Sequence, residues 1–411
     1  MLKRLFINNQ LLYSLIIGWI TALLFTSFLF FSHYGIHSYF LNTITALIGF
    51  YLLLHVNKRA VLFAGFFIGI LWFYWISYSF KYNGVGYIAP LVVFGFGIVY
   101  MLYFGVTALS DKPYIRALLL FGISFYAPVD FNWMQLSLPF VESYIGIYKW
   151  QLAIILFALS ADGFIKNSKY RYLPLILLIF AFNFQGYPPK EKAPLKIKLV
   201  QTNVKQEEKW TQKALRPTLR MVFEHIENAI EEGYDVVVLP ESVIPLYLNR
   251  QKKLLEQLLF LSNSIDIVLG SLEIEGDTHY NATYHFYNGQ KIEILRKVVL
   301  VPFGEYIPLP SFLQKWVNET FFAGASDFKT AKRPQDLHIK GIKFRNAICY
   351  EATTDILYHD HPKYMIAISN NAWFAPSIEP TLQRLLMQYY SNLYGTTIYH
   401  SANYKGTGII F

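Results

Sequence analysis

The chain has 411 residues, of which 54% are hydrophobic and only 15% charged, with a formal net charge of +9. Soluble domains carry roughly 25% charged residues, so the composition argues against an entirely soluble protein. A single cysteine, Cys349, excludes an internal disulfide and a cysteine-based zinc or iron–sulfur site. Because the positive charge forms no compact basic and aromatic module, it is typical of contact with lipid headgroups, and no nucleic-acid partner is expected.

The first half of the chain is a series of long apolar runs, near residues 11–31, 38–56, 60–80, 86–109, 114–128, 144–161 and 171–187. Most of them reach the roughly 17–25 residues that a helix needs to cross the hydrocarbon core of a bilayer. The fifth run is short enough to be tilted or partly re-entrant. The pattern predicts a transmembrane domain of about seven helices over residues 1–187.

Basic residues are concentrated in alternate loops of this half, and the positive-inside rule therefore orients it in the membrane. The intervening loops hold little beyond Lys81 and Lys149. The rule predicts a cytoplasmic N-terminus and places everything after Tyr187 on the outer face of the membrane. The residues that carry this prediction are Lys3, Arg4, Lys58, Arg59, Lys112, Arg116, Lys166, Lys169 and Arg171.

Residues 188–194, with three prolines and three charges, form a stiff polar linker. Beyond it, strand and helix patterns alternate over residues 195–411, which predicts one α/β domain with helices covering its sheet or sheets. We expect a hairpin that turns at Asn288-Gly289. Strands are expected at 195–202, 235–239, 267–272, 282–287, 291–301, 344–349 and 364–369, and helices at 211–232, 251–263 and 380–394.

Three chemically useful side chains lie at or near the ends of predicted strands: Glu241, Lys297 and Cys349. Strand ends are where α/β folds collect their working residues. A carboxylate can take the proton of a thiol, and a fixed ammonium can stabilise the oxyanion that forms in acyl transfer. Each residue also has an ordinary structural explanation, because Glu241 could cap a helix, Lys297 could lie at the surface and Cys349 could be an inert core residue.

The sequences around these residues resemble the nitrilase superfamily and, more narrowly, the membrane-bound apolipoprotein N-acyltransferase family. That family also places several membrane spans before an exported nitrilase-like domain, so the resemblance covers nearly the whole chain. It implies an α/β nitrilase-like αββα sandwich over residues 195–411, after the multi-span α-helical membrane domain. The motifs are Leu239-Pro240-Glu241-Ser242, the run from Arg296 to Pro308, Ile348-Cys349-Tyr350-Glu351, Gln201-Thr202-Asn203 with Trp210, and the run from Ser369 to Phe374.

The resemblance also implies roles for individual residues. Glu241 matches the general base, Lys297 the lysine that stabilises the oxyanion, and Cys349 the nucleophile. Supporting roles in the active site fall on Glu305, a second essential acid, and on Tyr350 and Glu351, which flank the nucleophile. Residues expected to control lipid access are Trp210, Trp373 and Phe374.

The implied reaction moves the sn-1 acyl chain of a membrane phospholipid, through a cysteine thioester, to the N-terminal amine of a diacylated apolipoprotein. Neither a cofactor nor a metal is expected. The resemblance implies a monomer in the bacterial inner membrane, with its catalytic domain on the periplasmic face.

The sequence departs from the family pattern at several positions. Ala375 stands where glycine is expected, and Gln383 where relatives often carry histidine. The resemblance further implies one more membrane span after the final strands, whereas the sequence ends at Phe411. These differences bear on substrate preference more than on the three central residues.

Other functions remain open at this point. The same three residues would serve a membrane-tethered nitrilase-type amidase that hands the acyl group to water. A catalytically inactive relative that binds lipids or lipoproteins is a further alternative. A transporter or receptor is disfavoured, because charged residues, which usually mark transport pathways, are nearly absent from the predicted spans away from their loops.

Overall fold

The computed structural model describes residues 2–128, 131–163, 170–302, 305 and 328–411. The chain divides into two compact units, residues 1–186 and residues 187–411. Among the residues that carry predictions, Lys166, Lys169, Phe303, Gly304 and residues 306–308 lie outside the described ranges.

Apolar helices build the first unit. Three helical segments in the described residues are long and apolar enough to cross a membrane, Asn9–His33, Lys58–Tyr82 and Gly86–Leu109. Two further apolar helices, Tyr39–His55 and Pro113–Ile123, are shorter. The sixth predicted run is helical over Lys149–Ser160, which a short 3-10 helix continues to Gly163, and the seventh forms a 3-10 helix over Leu173–Ala181. The number of crossings therefore stays a prediction. The α-helices are α1 (Leu2–His33), α2 (Tyr39–His55), α3 (Lys58–Phe73), α4 (Ala89–Gly105), α5 (Pro113–Ile123) and α6 (Lys149–Ser160).

Glycines bring α3 and α4 into close contact. A Cβ atom at Gly65 would lie 2.6 Å from the carbonyl oxygen of Tyr100, and one at Gly69 would lie 2.5 Å from that of Phe96. Small residues allow the backbones of membrane helices to approach closely, and dispersion contacts then hold the pair together. Local capping also helps, since the Asn57 side chain accepts a hydrogen bond from the N–H of Ala60 and so begins α3.

The second unit contains two β-sheets. The first has strand order β1-β2-β4-β5-β6, with β3 beside β4, and the second has order β11-β10-β9-β8-β7. The strands are β1 (Ile197–Leu199), β2 (Val236–Val238), β3 (Ile244–Tyr247), β4 (Asp266–Glu275), β5 (Thr278–Tyr287), β6 (Lys291–Arg296), β7 (Asp336–Ile339), β8 (Ile342–Ile348), β9 (Tyr364–Asn370), β10 (Thr397–Asn403) and β11 (Gly408–Ile410). The α-helices of this unit are α7 (Gln206–Lys209), α8 (Gln212–Glu231), α9 (Lys252–Leu261) and α10 (Glu379–Tyr394).

Alternation along the strands creates the layers. Val236 and Val238 face a core that they share with Phe344 and Ile366 of the second sheet. Val237 points the opposite way, into a separate core with residues of α8 and α9. Because α10 contacts β10 and β11 of the second sheet, the layers run helices, sheet, sheet, helix, which is the expected αββα sandwich.

The predicted helices at 211–232, 251–263 and 380–394 correspond to α8, α9 and α10. The turn at Asn288-Gly289 is also present, with φ values of 53° and 66° that join β5 to β6. The prediction of one strand over 291–301 was too long, because β6 ends at Arg296. Beyond that point the N–H groups of Val298 and Val299 donate to the Glu351 carboxylate instead of to a neighbouring strand.

Candidate active site

Parallel strands deliver the three candidate residues to one end of the sandwich. Glu241 follows β2, Lys297 directly follows β6, and Cys349 directly follows β8. The two sheets are joined by an isolated parallel bridge between Thr202, which follows β1, and Asn403, the last residue of β10. The carboxyl ends of the parallel strands in both sheets therefore meet at the same edge, where side chains from different strands can act together.

Cys349 lies on a strained turn. Its φ of 57° is in the left-handed region, which a non-glycine residue adopts only when its surroundings impose it. The Glu351 carboxylate stabilises this turn, because it accepts a hydrogen bond from the N–H of Ile348 at 2.7 Å and caps the 3-10 helix Cys349–Thr353. The thiol is thereby turned out of the strand direction, and its side chain keeps partial solvent exposure.

Glu241 needs a glycine beside it. A Cβ at Gly270 of β4 would lie 2.6 Å from the Cα of Glu241, so only glycine lets β4 pass this close. Ser242, the next residue, has a φ of 47°, and the chain turns sharply there. The close passage fixes the backbone of Glu241 against the first sheet.

A lysine and two carboxylates form a buried cluster. Nζ of Lys297 lies 2.7 Å from Oε2 of Glu305 and 4.0 Å from Oε1 of Glu241. Nδ2 of Asn281 donates to both carboxylates, at 2.7 Å to Glu241 and 3.3 Å to Glu305. Lys297 is only 1% exposed, so its ammonium is held away from bulk water.

The cluster keeps Lys297 charged. Burial disfavours the ammonium, but the charges of Glu305 and Glu241 outweigh it and raise the pKa of Lys297 above its ordinary value. A fixed, dry ammonium of this kind can stabilise a developing oxyanion.

The Cys349 thiol is protonated in the resting site. Burial raises its pKa well above the ordinary value, and Glu241 adds to the rise while Lys297 opposes it. Attack by sulfur therefore requires a base that removes the proton during the reaction. Glu241 is the carboxylate with the largest electrostatic effect on this thiol.

Glu351 connects the exit of β6 to the end of β8. Its carboxylate accepts hydrogen bonds from the N–H groups of Val298, Val299 and Ile348. Burial raises the pKa of Glu351 to about 7, against the opposing effect of Lys297 and of these three donors. Its geometry is that of a positioning residue, since it ties the segment after Lys297 to the turn that carries Cys349.

The remaining predicted residues surround this centre differently. Tyr350 is buried next to Cys349, and Trp210 is 47% exposed directly after α7. Trp373 and Phe374 are half-buried on a 3-10 helix, Asn371–Phe374, that follows β9. The structure thus places one aromatic residue in the core and three on accessible segments.

A second buried lysine, Lys209, was not among the residues predicted from the sequence. Lys209 is 2% exposed and donates from Nζ to the backbone oxygen of Glu241 at 3.1 Å. Burial lowers its pKa to about 8, although Glu241 opposes the shift. Its position immediately before Trp210 in a predicted motif is the only signal that could have drawn attention to it.

Glu379 was also missed. This residue, in the first turn of α10, is 1% exposed, and its Oε2 has no hydrogen-bond partner within the described residues. Burial, with a smaller contribution from Glu241, raises its pKa well above the ordinary range, so the carboxyl is neutral. As for metals, the described part of the chain brings together no group of three or more histidine, cysteine, aspartate or glutamate side chains that could hold an ion.

Comparison with known proteins gives a consistent result for both units. Residues 12–184 match the family model of the apolipoprotein N-acyltransferase integral membrane domain, and residues 196–392 match the carbon-nitrogen hydrolase model. These matches confirm the predicted fold class, a membrane domain followed by a nitrilase-like domain.

Three curated relatives cover most of the chain, and each is called an apolipoprotein N-acyltransferase. The protein of Wolinella succinogenes is 40% identical over 95% of this chain and 94% of its own length. That of Helicobacter hepaticus is 40% identical over 87% of this chain and 90% of its own. That of Campylobacter jejuni is 32% identical over 98% and 91%. The chain therefore belongs to the apolipoprotein N-acyltransferase family.

Proposed function

We propose that this protein is an N-acyltransferase of the bacterial inner membrane that completes lipoprotein acylation. It moves the sn-1 acyl chain of a phospholipid to the N-terminal amine of a diacylglyceryl-cysteine apolipoprotein. The observation that carries the proposal is the cluster of Lys297, Glu241 and Glu305 near the strained Cys349, in a chain whose relatives bear that name.

The first half-reaction forms a thioester. Glu241 takes the thiol proton as the sulfur of Cys349 attacks the ester carbonyl, and the ammonium of Lys297 stabilises the tetrahedral oxyanion. Collapse of the intermediate breaks the bond to the glycerol oxygen. That oxygen takes the proton back from Glu241, and the lysophospholipid leaves.

The second half-reaction reverses the roles of sulfur and acceptor. The neutral α-amino group of the apolipoprotein attacks the thioester carbonyl, and the oxyanion again forms beside Lys297. Glu241 accepts the proton of the attacking amine, the C–S bond breaks, and the proton returns to the sulfur of Cys349. The product is an amide, and the enzyme regains its free thiol.

Glu305, Tyr350 and Glu351 support this chemistry without exchanging atoms with the substrate. Glu305 holds the Lys297 ammonium at 2.7 Å, and Glu351 fixes the backbone on both sides of the nucleophile. Trp210, Trp373 and Phe374 are proposed to contact the lipid chains as they enter.

Attachment to a membrane follows from the substrates. Burying each acyl CH₂ is worth about 0.8 kcal/mol, so a long chain rarely leaves a bilayer for a soluble enzyme. The apolar helices of the first unit would keep the domain at the membrane surface, with the N-terminus cytoplasmic and the catalytic domain on the periplasmic side. We propose that a monomer suffices for the reaction.

The test uses purified protein in detergent and a phospholipid labelled in its sn-1 acyl chain. We expect label on the protein that hydroxylamine removes, and no such label on a folded Cys349→Ala variant. A diacylated lipopeptide with a free N-terminus should then take up the label, whereas the N-acetylated lipopeptide should not. Release of free fatty acid alone would favour the hydrolase alternative, and label retained by Cys349→Ala would contradict the proposed nucleophile.

A further inference from the structure

Gln383 brings an amide group to the sulfur of Cys349. It lies on α10, is completely buried, and its Nε2 is 4.0 Å from Sγ of Cys349, within the longer reach of hydrogen bonds to sulfur. Glu379, four residues earlier, is on the same face of this helix. Helix α10 therefore presents two buried polar side chains toward the end of β8.

The orientation of the Gln383 amide is determined by its neighbours. Its Oε1 accepts from Nδ2 of Asn371 at 3.0 Å, and that same Nδ2 donates to the carbonyl oxygen of Lys405 at 2.8 Å. Since a carbonyl can only accept, the nitrogen of Asn371 is correctly placed, and the Gln383 oxygen must face it. The Nε2 of Gln383 therefore faces Ser369 and Cys349.

A buried histidine extends this hydrogen-bond network on the other side of Ser369. Nδ1 of His400 lies 2.8 Å from the carbonyl oxygen of Gly406, so Nδ1 carries the hydrogen. Burial lowers the pKa of His400 to about 4, with the Gly406 hydrogen bond opposing, and the ring is neutral. Nε2 is thus an acceptor, and the Ser369 hydroxyl donates to it at 2.8 Å.

The hydrogens of Gln383 can now be assigned. Because the Ser369 hydroxyl donates its hydrogen to His400, Oγ of Ser369 accepts a hydrogen bond from Nε2 of Gln383 at 3.3 Å. One N–H of the amide is used there. The other points to the sulfur of Cys349, so each donor in this hydrogen-bond network has an acceptor.

We propose that Gln383 is a catalytic residue that donates an N–H to the Cys349 sulfur, and that Ser369 and His400 are positioning residues that orient it. The donor stabilises the thiolate that forms when Glu241 removes the proton, and again the thiolate that leaves in the second half-reaction. The inference rests on the proposed role of Cys349 as the nucleophile.

The charged groups around the sulfur explain why a neutral donor matters. Glu241 and Glu305 disfavour the thiolate, as does Glu379 when ionised, whereas Lys297 favours it and Lys209 faces it from α7. Lys297 is already engaged by two carboxylates. A donor from Gln383 adds stabilisation without adding a charge that those carboxylates would neutralise.

The experiment is the pH dependence of alkylation by iodoacetamide, measured on the full-length protein in detergent. Cys349 is the only cysteine, so every alkylation event reports on it. Gln383→Met keeps the volume and removes the donor. We expect the apparent pKa of the thiol to rise and the alkylation rate at pH 8 to fall about tenfold, the low end for a hydrogen bond to a charged group.

Further variants separate a direct effect from a structural one. Gln388→Met makes the same change on the same helix, at a half-buried residue paired with Arg384, and should leave the profile unchanged. Ser369→Ala should shift the pKa in the same direction by less, and Gln383→His, which keeps an N–H donor, should restore part of the rate.

Folded Gln383→Met and Ser369→Ala variants with the wild-type alkylation profile would overturn the proposal. If Gln383→Met does not fold, Ser369→Ala decides the question by the same measurement. Alkylation requires no lipid, so failure of the acyl-transfer assay would leave this result intact, and an unchanged profile would leave the acyltransferase proposal intact.

Discussion

The two sides of Cys349 are built from different chemistry. On the charged side, Lys297 is held by the carboxylates of Glu241 and Glu305, with Asn281 bridging the two acids. On the neutral side, Gln383 approaches the sulfur from α10 and is oriented by Ser369 and His400. We therefore expect the charged side to move protons and stabilise the oxyanion, and the neutral side to stabilise the Cys349 thiolate.

Burial has opposite outcomes for the ionisable groups of the two sides. Lys297 remains charged because two carboxylates offset its desolvation, and His400 becomes neutral because it has only a carbonyl and a hydroxyl for partners. The same low dielectric produces opposite protonation states, and the local partners decide which one results.

Removing the proposed base, Glu241, from the charged side should have the largest effect on the rate. Glu241→Gln keeps an oxygen that can accept from Asn281 but cannot take the thiol proton, so acyl-enzyme formation should slow by about 10²–10⁴. Single-turnover labelling with phospholipid measures this rate. Glu256→Gln on the exposed face of α9 is the control, and a loss of less than tenfold in Glu241→Gln would remove Glu241 from the role of base.

Removing the ammonium should be nearly as severe. Lys297→Met should slow both half-reactions by about 10²–10³, the usual loss for one oxyanion donor. Each step is measured separately, as formation of the labelled protein and as its discharge to a diacylated lipopeptide. If only the first step slowed, Lys297 would act on the thiol and not on the oxyanion. The control is Lys253→Met on the surface of α9, which should slow neither half-reaction.

Loosening the charged side without removing a reacting group should cost less. Glu305→Gln replaces the closest anion of Lys297, so transfer should fall roughly tenfold at neutral pH. The pKa of Lys297 should also fall, because Glu305 contributes most of what raises it. The alkaline limb of the rate profile should then shift to lower pH, and an unshifted limb would show that Glu305 does not hold the charge on Lys297.

The last effect concerns stability, not rate, and separates the two buried lysines. The folded-state pKa of Lys209, about 8, lies below its ordinary value of 10.5, so burying its charge destabilises the fold fully below pH 8. This penalty disappears as the pH rises from about 8 to 10.5. Relative to Lys209→Met, the wild type should gain at most about 3 kcal/mol across that window. Denaturation of both proteins between pH 7 and 10.5 measures the difference, and a constant difference would contradict the shifted pKa.

Much of the fold could be predicted from patterns that depend on local sequence. The helical periodicity of α8, α9 and α10, the apolar β2, β4 and β9, and the Asn288-Gly289 turn are encoded within short segments. Strand β10 was not predicted, because Thr397–Asn403 contains histidine, serine and asparagine yet is buried throughout. Its polar residues are tolerated since Ser369, Asn370 and Val200 supply their hydrogen-bond partners from elements distant in sequence.

The apolar runs of the first half, the α/β class of the second and the types of residue at the candidate site could be predicted from the sequence, because periodicity and strand-end motifs are local properties. Three contacts became visible only in the folded protein: Lys297 pairs more closely with Glu305 than with Glu241, Lys209 donates to the backbone of Glu241, and Gln383 reaches Cys349. Those contacts join residues from different strands and helices. Their distances, protonation states and hydrogen-bond directions depend on burial and on partners that no local pattern specifies.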